Sequence, residues 1–589
     1  MNVLIPVVVA AAAFAIAVRF YPRMIARVFQ EDDRNLAPSE RFADGTDYVK
    51  SRSHVVFGHH FATIAGAGPI VGPVLALAFG WGPVWLWVVL GGIFFGAAHD
   101  MAVMFTSLRE GGRTMGEVAR RVLGPTGYLL NLLVLIFVLT IINAIFLNLS
   151  VVALTSTYPL DALRLPPDQT LLGTIVEDGV VEVRIGGIAT TSVFIITAFA
   201  PVLGWLIRRD YVSTGAAYAV ASVVCVVSVV LGFQFPVSLS GDAWRWVMTG
   251  YVFLACSLPV WFVLQPRDFT NVQLLYGGML LMLLSVIVAG FQGATVQATA
   301  VDIPAGEAAL GGAVWPLLFI TVACGAISGF HSLVASGTTV RQIPRESDCR
   351  RIGYGAMIVE SFLAILVLVA VSSMLSHGEY LSIVYPAEAP TNPILGFAVG
   401  AGRLMNLAFP FLPVAVAVVL GILMVEGFVV TTLDSSVRLE RYIIEEFWTF
   451  AFSGKVPAIL RKPVVNTAVA VALMVVFALS GTIRQMWPVF GAGNQLLGGL
   501  ALITVSVWLA QRARRYLFAA LPAAFMIATT IAALIIQARA NLLGGNGALS
   551  FAATALFILA GGVVAVGVSR LARALQSERP EPMPVTPTR

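Results

Sequence analysis

Apolar runs of roughly 20 residues recur along this 589-residue chain from its first residues almost to its last, each long enough to cross about 30 Å of hydrocarbon as a helix. With no water there to pair exposed amides and carbonyls, each run has to satisfy its backbone internally, so the spans are helices. Composition agrees: 58% of residues are hydrophobic and 11% charged, about half the charge of a soluble domain. The reading is an all-α polytopic membrane protein with fifteen spans, among them 2–22, 55–80, 82–107, 127–153, 313–338, 407–432, 464–481 and 487–511.

The net charge of +5 does not indicate a nucleic-acid surface, because the basic residues sit in short loops between apolar runs. One set of loops holds only Arg164, Arg184, Arg245, Arg403, Arg484 and Arg539 of the 36 Lys and Arg, and its longest loop, 154–186, is acidic, with Asp161, Asp168, Glu177, Asp178 and Glu182. The positive-inside rule then places the N-terminus outside and the C-terminus in the cytoplasm. The first charges follow the first apolar run, so residues 2–21 read as a retained helix, not a cleaved leader. Four scattered cysteines imply neither a disulfide framework nor a zinc site.

Two spans carry helix-breaking chemistry near their middles. Span 55–80 contains Gly66-Ala67-Gly68-Pro69 and Gly72-Pro73, and span 313–338 contains Cys324-Gly325-Ala326-Ile327-Ser328-Gly329-Phe330-His331. Alternation makes the two run in opposite directions, the sequence signature of an inverted-repeat transporter with a site near the bilayer midplane. Close packing of small residues is the competing explanation, although it does not account for proline at the centre of a span. Proline opening a half-helix leaves the preceding amides without helical acceptors, so Gly66, Ala67 and Gly68 are expected to bind a substrate carboxylate, with Ser328 and Gly329 as a second cradle.

Ionisable residues inside the spans are few and lie within roughly 6–11 Å of the cytoplasmic ends at 1.5 Å per residue. They are His59, His60, His99, Asp100, His331, Glu360 and Glu426, with Asp434 at the inner mouth. A charge in hydrocarbon costs at least about 2.5–3.5 kcal/mol, so such groups face a cavity or one another. Carboxylates beside imidazoles suit proton transfer. The expected proton-coupling residues are His59, Asp100, His331, Glu360, Glu426 and Asp434, with His59 and Asp100 as a pair, while His60 and His99 are read as packing residues. Histidines with Asp100 could instead hold zinc or iron, but HExxH, a facing cysteine pair and a second acidic cluster are missing. No metal, cofactor or catalytic residue is expected.

Several of these segments together are similar to the carbon starvation protein A (CstA) family: Phe57-Gly58-His59-His60-Phe61-Ala62, Ala65 to Pro69, Gly96-Ala97-Ala98-His99-Asp100, Pro266-Arg267-Asp268, Cys324 to His331, Ser336-Gly337-Thr338-Thr339, Thr432-Leu433-Asp434 with Arg441-Tyr442, Trp487-Pro488, and Asn494-Gln495-Leu496. The resemblance implies a bacterial inner-membrane importer of peptides or pyruvate used during carbon starvation, with proton symport in the pyruvate branch. It also implies kinship with the LeuT-type fold of the amino acid, polyamine and organocation (APC) transporters.

The expected organisation is a first helix and cytoplasmic loop (1–54), a first transporter repeat (55–292), a second (313–511), and accessory helices with a cytoplasmic tail (512–589). The expected partners are a small-molecule substrate, protons and lipid, not nucleic acid. Sodium coupling through freed carbonyls and hydroxyls such as Thr63, Ser328 and Ser332 is the alternative within transport, and an intramembrane metalloenzyme the alternative from another class. The sequence leaves the oligomeric state open.

Overall fold

The computed structural model describes the chain except for residues 45–47, 164–171, 178, 210, 260, 261, 578, 579 and 585–589. Arg164, Asp168 and Asp178 of the acidic loop therefore lie outside the described residues. By length and composition, 11 described helices can cross a membrane, or up to 13 if each of two bent pairs is one span. Of the fifteen expected spans, 55–80 is one of the bent pairs, 313–338 is in pieces, and two are helices below 18 residues, Gly241–Ser257 and Pro463–Ala478. In the loop 154–186, Tyr158–Pro159 and Thr174–Glu177 both pair antiparallel with Val180–Val183.

The first broken span is Ser53–Ile64 followed by Gly68–Ala76, the stretch Gly68–Phe79 being bent by 45° from Ser53–Ile64, with Pro69 opening the second half where its missing N–H costs no helical bond. The second consists of Val314–Thr321, Ala323–Ala326 and Phe330–Gly337. The two cross antiparallel: Ser53–Ile64 packs on Phe330–Gly337, and Gly68–Ala76 on Val314–Thr321 and Ala323–Ala326. Side-chain-free positions make that crossing possible. A Cβ on Gly68 would collide with Cys324, and one on Gly72 would sit 2.8 Å from the Thr321 carbonyl.

Contacts sort the chain into two compact units, each assembled from separate segments. One comprises Pro6–Val138, Val301–Ile365 and Gln485–Arg589 and holds both broken spans. The other comprises Met1–Ile5, Leu139–Ala300 and Leu366–Arg484.

Within the second unit two features depart from the sequence reading. Pro393–Ala408, in a stretch read as an outer loop, is a largely buried helix. Gly396, Gly400 and Gly402 dilute its hydropathy, yet they allow the contact: a Cβ on Gly402 would lie 2.6 Å from the Val418 side chain, and one on Gly421 2.9 Å from Ala398. Helix Val414–Ala451 has 38 residues, continuing well past the expected end at 432. It runs antiparallel to Leu139–Thr155, with Glu426 beside Ser150, Ser436 bonded to Asn143 and Glu440 bonded to Thr140 and Asn143. Asp434 and Glu440 are therefore level with the middle of span 127–153, not at the inner mouth. Arg438 and Arg441, counted as loop charges, are buried helical residues, Arg438 donating 2.8 Å bonds to the Ala255 and Leu258 carbonyls.

Candidate functional site

Asp100 lies on helix Trp81–Arg109, one turn beyond a π-helical turn at Gly92–Gly96. Such bulges re-aim side chains and recur at functional sites. The Asp100 carboxylate is shared by two imidazoles: Oδ1 lies 2.7 Å from His99 Nδ1 and Oδ2 2.8 Å from His331 Nδ1. His331 is in the first turn after the second break, and its Nε2 lies 3.3 Å from Glu360 Oε2. None of these four residues is more than 1% exposed.

This geometry constrains protons. Because Asp100 only accepts when ionised, both Nδ1 atoms carry hydrogen, a tautomer inferred from the bonding pattern. His331 Nε2 is then left facing a carboxyl, and neither Glu360 oxygen has a hydrogen-bond partner. A proton placed between His331 Nε2 and Glu360 would supply the missing bond and neutralise a buried charge. Asp100, His331 and Glu360 thus form one chain of groups able to bind and pass a proton.

The expected pairing of His59 with Asp100 is not formed. His59 is on the exposed face of its half-helix, while His60, about 100° around, is buried with Nδ1 2.8 Å from Thr339 Oγ1. His99, read as a packing residue because adjacent helical positions diverge, reaches its neighbour through the side chains themselves. Glu426 and Asp434 belong to the other unit. There Glu426 is buried beside Ser150 with neither oxygen hydrogen-bonded. Asp434 already has a cation: Arg267 Nη1 lies 2.6 Å away and the Tyr251 hydroxyl donates at 2.7 Å.

The two breaks differ in what their backbones offer. At the first, Gly66 N–H donates to the Ile64 carbonyl at 2.7 Å, whereas the buried amides of Ala67 and Gly68 meet no acceptor among the described residues. At the second, Asn494 fills the gap. Its carbonyl accepts from Gly329 N–H at 3.1 Å, its Oδ1 accepts from Phe330 N–H at 3.0 Å, and its Nδ2 lies 3.2 Å from both Ser328 Oγ and Cys324 Sγ. A Cβ on Gly329 would strike Asn494 and Gly498, so close packing accounts for that glycine and the second cradle is occupied from within. Of the hydroxyls a sodium site would call on, Thr63 donates to the His59 carbonyl and Ser332 to that of Gly329, bonds that use the hydroxyl hydrogen and not the oxygen lone pairs. Among the described residues no group of three or more His, Cys, Asp or Glu is arranged to hold a metal ion.

The profile of the carbon starvation protein CstA family matches residues 2–391 and 386–533. The chain belongs to the CstA family. The peptide transporter CstA of Escherichia coli K12 is 31% identical over 90% of this chain and 81% of its own length. The pyruvate/proton symporter BtsT of the same organism is 29% identical over 90% and 80%. Both of these relatives are named as transporters. Among solved structures, a manganese transporter of Eremococcus coleocola aligns over 90% of this chain and 99% of its own, at 13% identity and a TM-score of 0.35.

Two residues of the CstA-like segments had no role assigned from sequence: Asn494, whose side chain caps a break, and Arg267, the buried partner of Asp434. Their signal was polarity inside otherwise apolar stretches. Replacing Asn494 by alanine orphans the part-buried Phe330 amide at a cost of about 1–3 kcal/mol. The expected outcome is a lower melting temperature for Asn494→Ala in purified form, and an unchanged one would show that the cap does not support the break.

Proposed function

We propose that this chain is a proton-driven secondary transporter that imports a small carboxylate-bearing nutrient, a peptide or pyruvate, across the bacterial inner membrane. One observation carries the reading: a buried Asp100–His331–Glu360 proton chain is centred on His331, in the first turn of a broken helix. That broken helix packs against the other, whose buried Ala67 and Gly68 amides meet no acceptor among the described residues. Oriented amides at a half-helix start suit a carboxylate, and the proton chain suits coupling to a gradient. The names of the CstA and BtsT relatives point to the same substrates.

The same reading takes the core as an inverted repeat of LeuT type, 55–292 against 313–511, with 1–54 and 512–589 as flanking parts. Each broken span is followed by a long helix, Trp81–Arg109 or Arg350–Met374, and each of these brings a carboxyl to His331. The charge distribution supports an outside N-terminus and a cytoplasmic C-terminus.

Counterflow in proteoliposomes with di- and tripeptides, pyruvate, lactate and amino acids tests the substrate class. Accumulation is expected to follow a pH gradient and to survive replacement of sodium by choline, and loss in choline would transfer the coupling to sodium. An impermeant thiol reagent added outside should label Asp161→Cys and not Arg113→Cys, and the reverse pattern would invert the topology.

A further inference from the structure

Glu440, in the second unit, is a buried carboxyl that the site above does not use. Residues 139–155 of helix Met115–Thr155 present Thr140 and Asn143 one turn apart, and helix Val414–Ala451 presents Ser436 and Glu440 in the same way, so the four meet as a closed polar box. Thr140 Oγ1 lies 2.5 Å from Glu440 Oε1, Asn143 Nδ2 lies 2.6 Å from Oε2, and the Asn143 amide oxygen is held by Ser436 Oγ. Glu440, Asn143 and Ser436 are fully buried and Thr140 nearly so.

Among the described residues no cation faces this carboxyl. On its own helix Arg438 is turned to the Ala255 and Leu258 carbonyls, and Arg441 lies over the Tyr442 ring with Glu445 beyond. Asp434 is taken by Arg267 and Tyr251, and Glu426 lies by Ser150. From the neighbouring helices, Cys256 donates to the Asp434 carbonyl, Asp268 lies 3.8 Å from Arg267, Arg245 pairs with Asp242, and Arg403 pairs with Glu379. Helix Pro463–Ala478 and residues 139–155 carry no ionisable side chain.

We propose that Glu440 is a second proton-binding site of this transporter, separate from the Asp100–His331–Glu360 chain. A buried carboxylate without a counter-charge is neutralised most simply by a proton. The box serves both forms. Ionised, the carboxylate accepts from the Thr140 hydroxyl and the Asn143 amide. Protonated on Oε1, it donates to Thr140 Oγ1, whose hydrogen rotates away, while Oε2 keeps the Asn143 bond. Loading therefore needs no movement of heavy atoms. Glu426, with no close hydrogen bond, lacks that provision. Contacts of 2.5–2.6 Å leave no room for a metal ion between the carboxylate and its donors.

A coupling role for the site rests on the proton-driven reading above, whereas proton binding itself is tested without transport. Difference infrared spectra of the protein in lipid, taken across a pH step, are expected to contain a protonated-carboxyl carbonyl band. The band should be absent in Glu440→Gln and displaced in Thr140→Val, which keeps the acid but removes its hydroxyl partner. A spectrum unchanged by Glu440→Gln, or a Glu440 band that ignores pH, would overturn the proposal. Glutamine is isosteric and keeps both bonds, so the variant folds if neutrality is all the site requires. In vesicles Glu440→Gln is expected to retain counterflow within about twofold and to lose pH-driven accumulation by about a hundredfold. Wild-type accumulation by Glu440→Gln would remove the coupling role. Failure of the wild type itself to accumulate substrate would refute the proton-driven reading, with the infrared result still deciding whether Glu440 binds a proton.

Discussion

Asp100→Asn is expected to abolish accumulation driven by a pH gradient while leaving substrate exchange intact. Asparagine keeps one acceptor oxygen and replaces the other with an amide donor, so either His99 Nδ1 or His331 Nδ1 faces an N–H in place of a carboxylate oxygen. The charge that balances an imidazolium at His331 is lost with it. Exchange requires binding and reorientation but no net proton movement, so it tolerates the change. Proton transfer by a positioned group is typically worth about 10²–10⁴-fold, and the loss of driven uptake should fall in that range. The measurement compares pH-jump uptake with counterflow in the same vesicles, and full driven accumulation by the variant would reject Asp100 as part of the coupling site.

The second large effect concerns the buried ion pair of the other unit. Arg267 is 1% exposed, sits 2.6 Å from Asp434, and lies with its guanidinium carbon 5.6 Å from the Tyr251 ring centroid. Arg267→Met removes the cation and leaves Asp434 buried without its counter-charge, a loss of about 3–5 kcal/mol. Removing both charges in Arg267→Met with Asp434→Leu abolishes the penalty, so the double variant should be more stable than the single one. Thermal unfolding of the purified variants reads this out. A double variant no more stable than Arg267→Met would show that the pair contributes through packing alone.

The breaks in spans 55–80 and 313–338 were legible because they are local. Proline lacks an N–H, glycine lacks a side chain, and neither fact depends on what the helix later meets. Asp100, His331 and Glu360 stood out for an equally general reason, since an ionisable group inside an apolar span is too costly to lie there without a partner. Which partner it finds is another matter. Depth along the helix made His59 a candidate for Asp100, but depth carries no rotation, and the half-helix turns His60 inward instead.

The same limit explains helix Val414–Ala451. Asp434, Arg438 and Arg441 read as the start of a cytoplasmic loop because charges raise the cost of remaining in hydrocarbon. The helix continues because Arg267, Tyr251 and the Ala255 and Leu258 carbonyls, from other parts of the chain, take up those charges. Asn494 likewise caps a break more than 160 residues earlier in the chain. By itself, then, the sequence determined the solvent of this protein, its helical class, where two helices break, and which residue types are too polar for their surroundings, because each follows from the free energy of single residues and neighbouring backbone. Only the tertiary structure decided which of those polar groups pair and which are left with room for a proton, because that depends on helix rotation and on contacts between residues hundreds of positions apart.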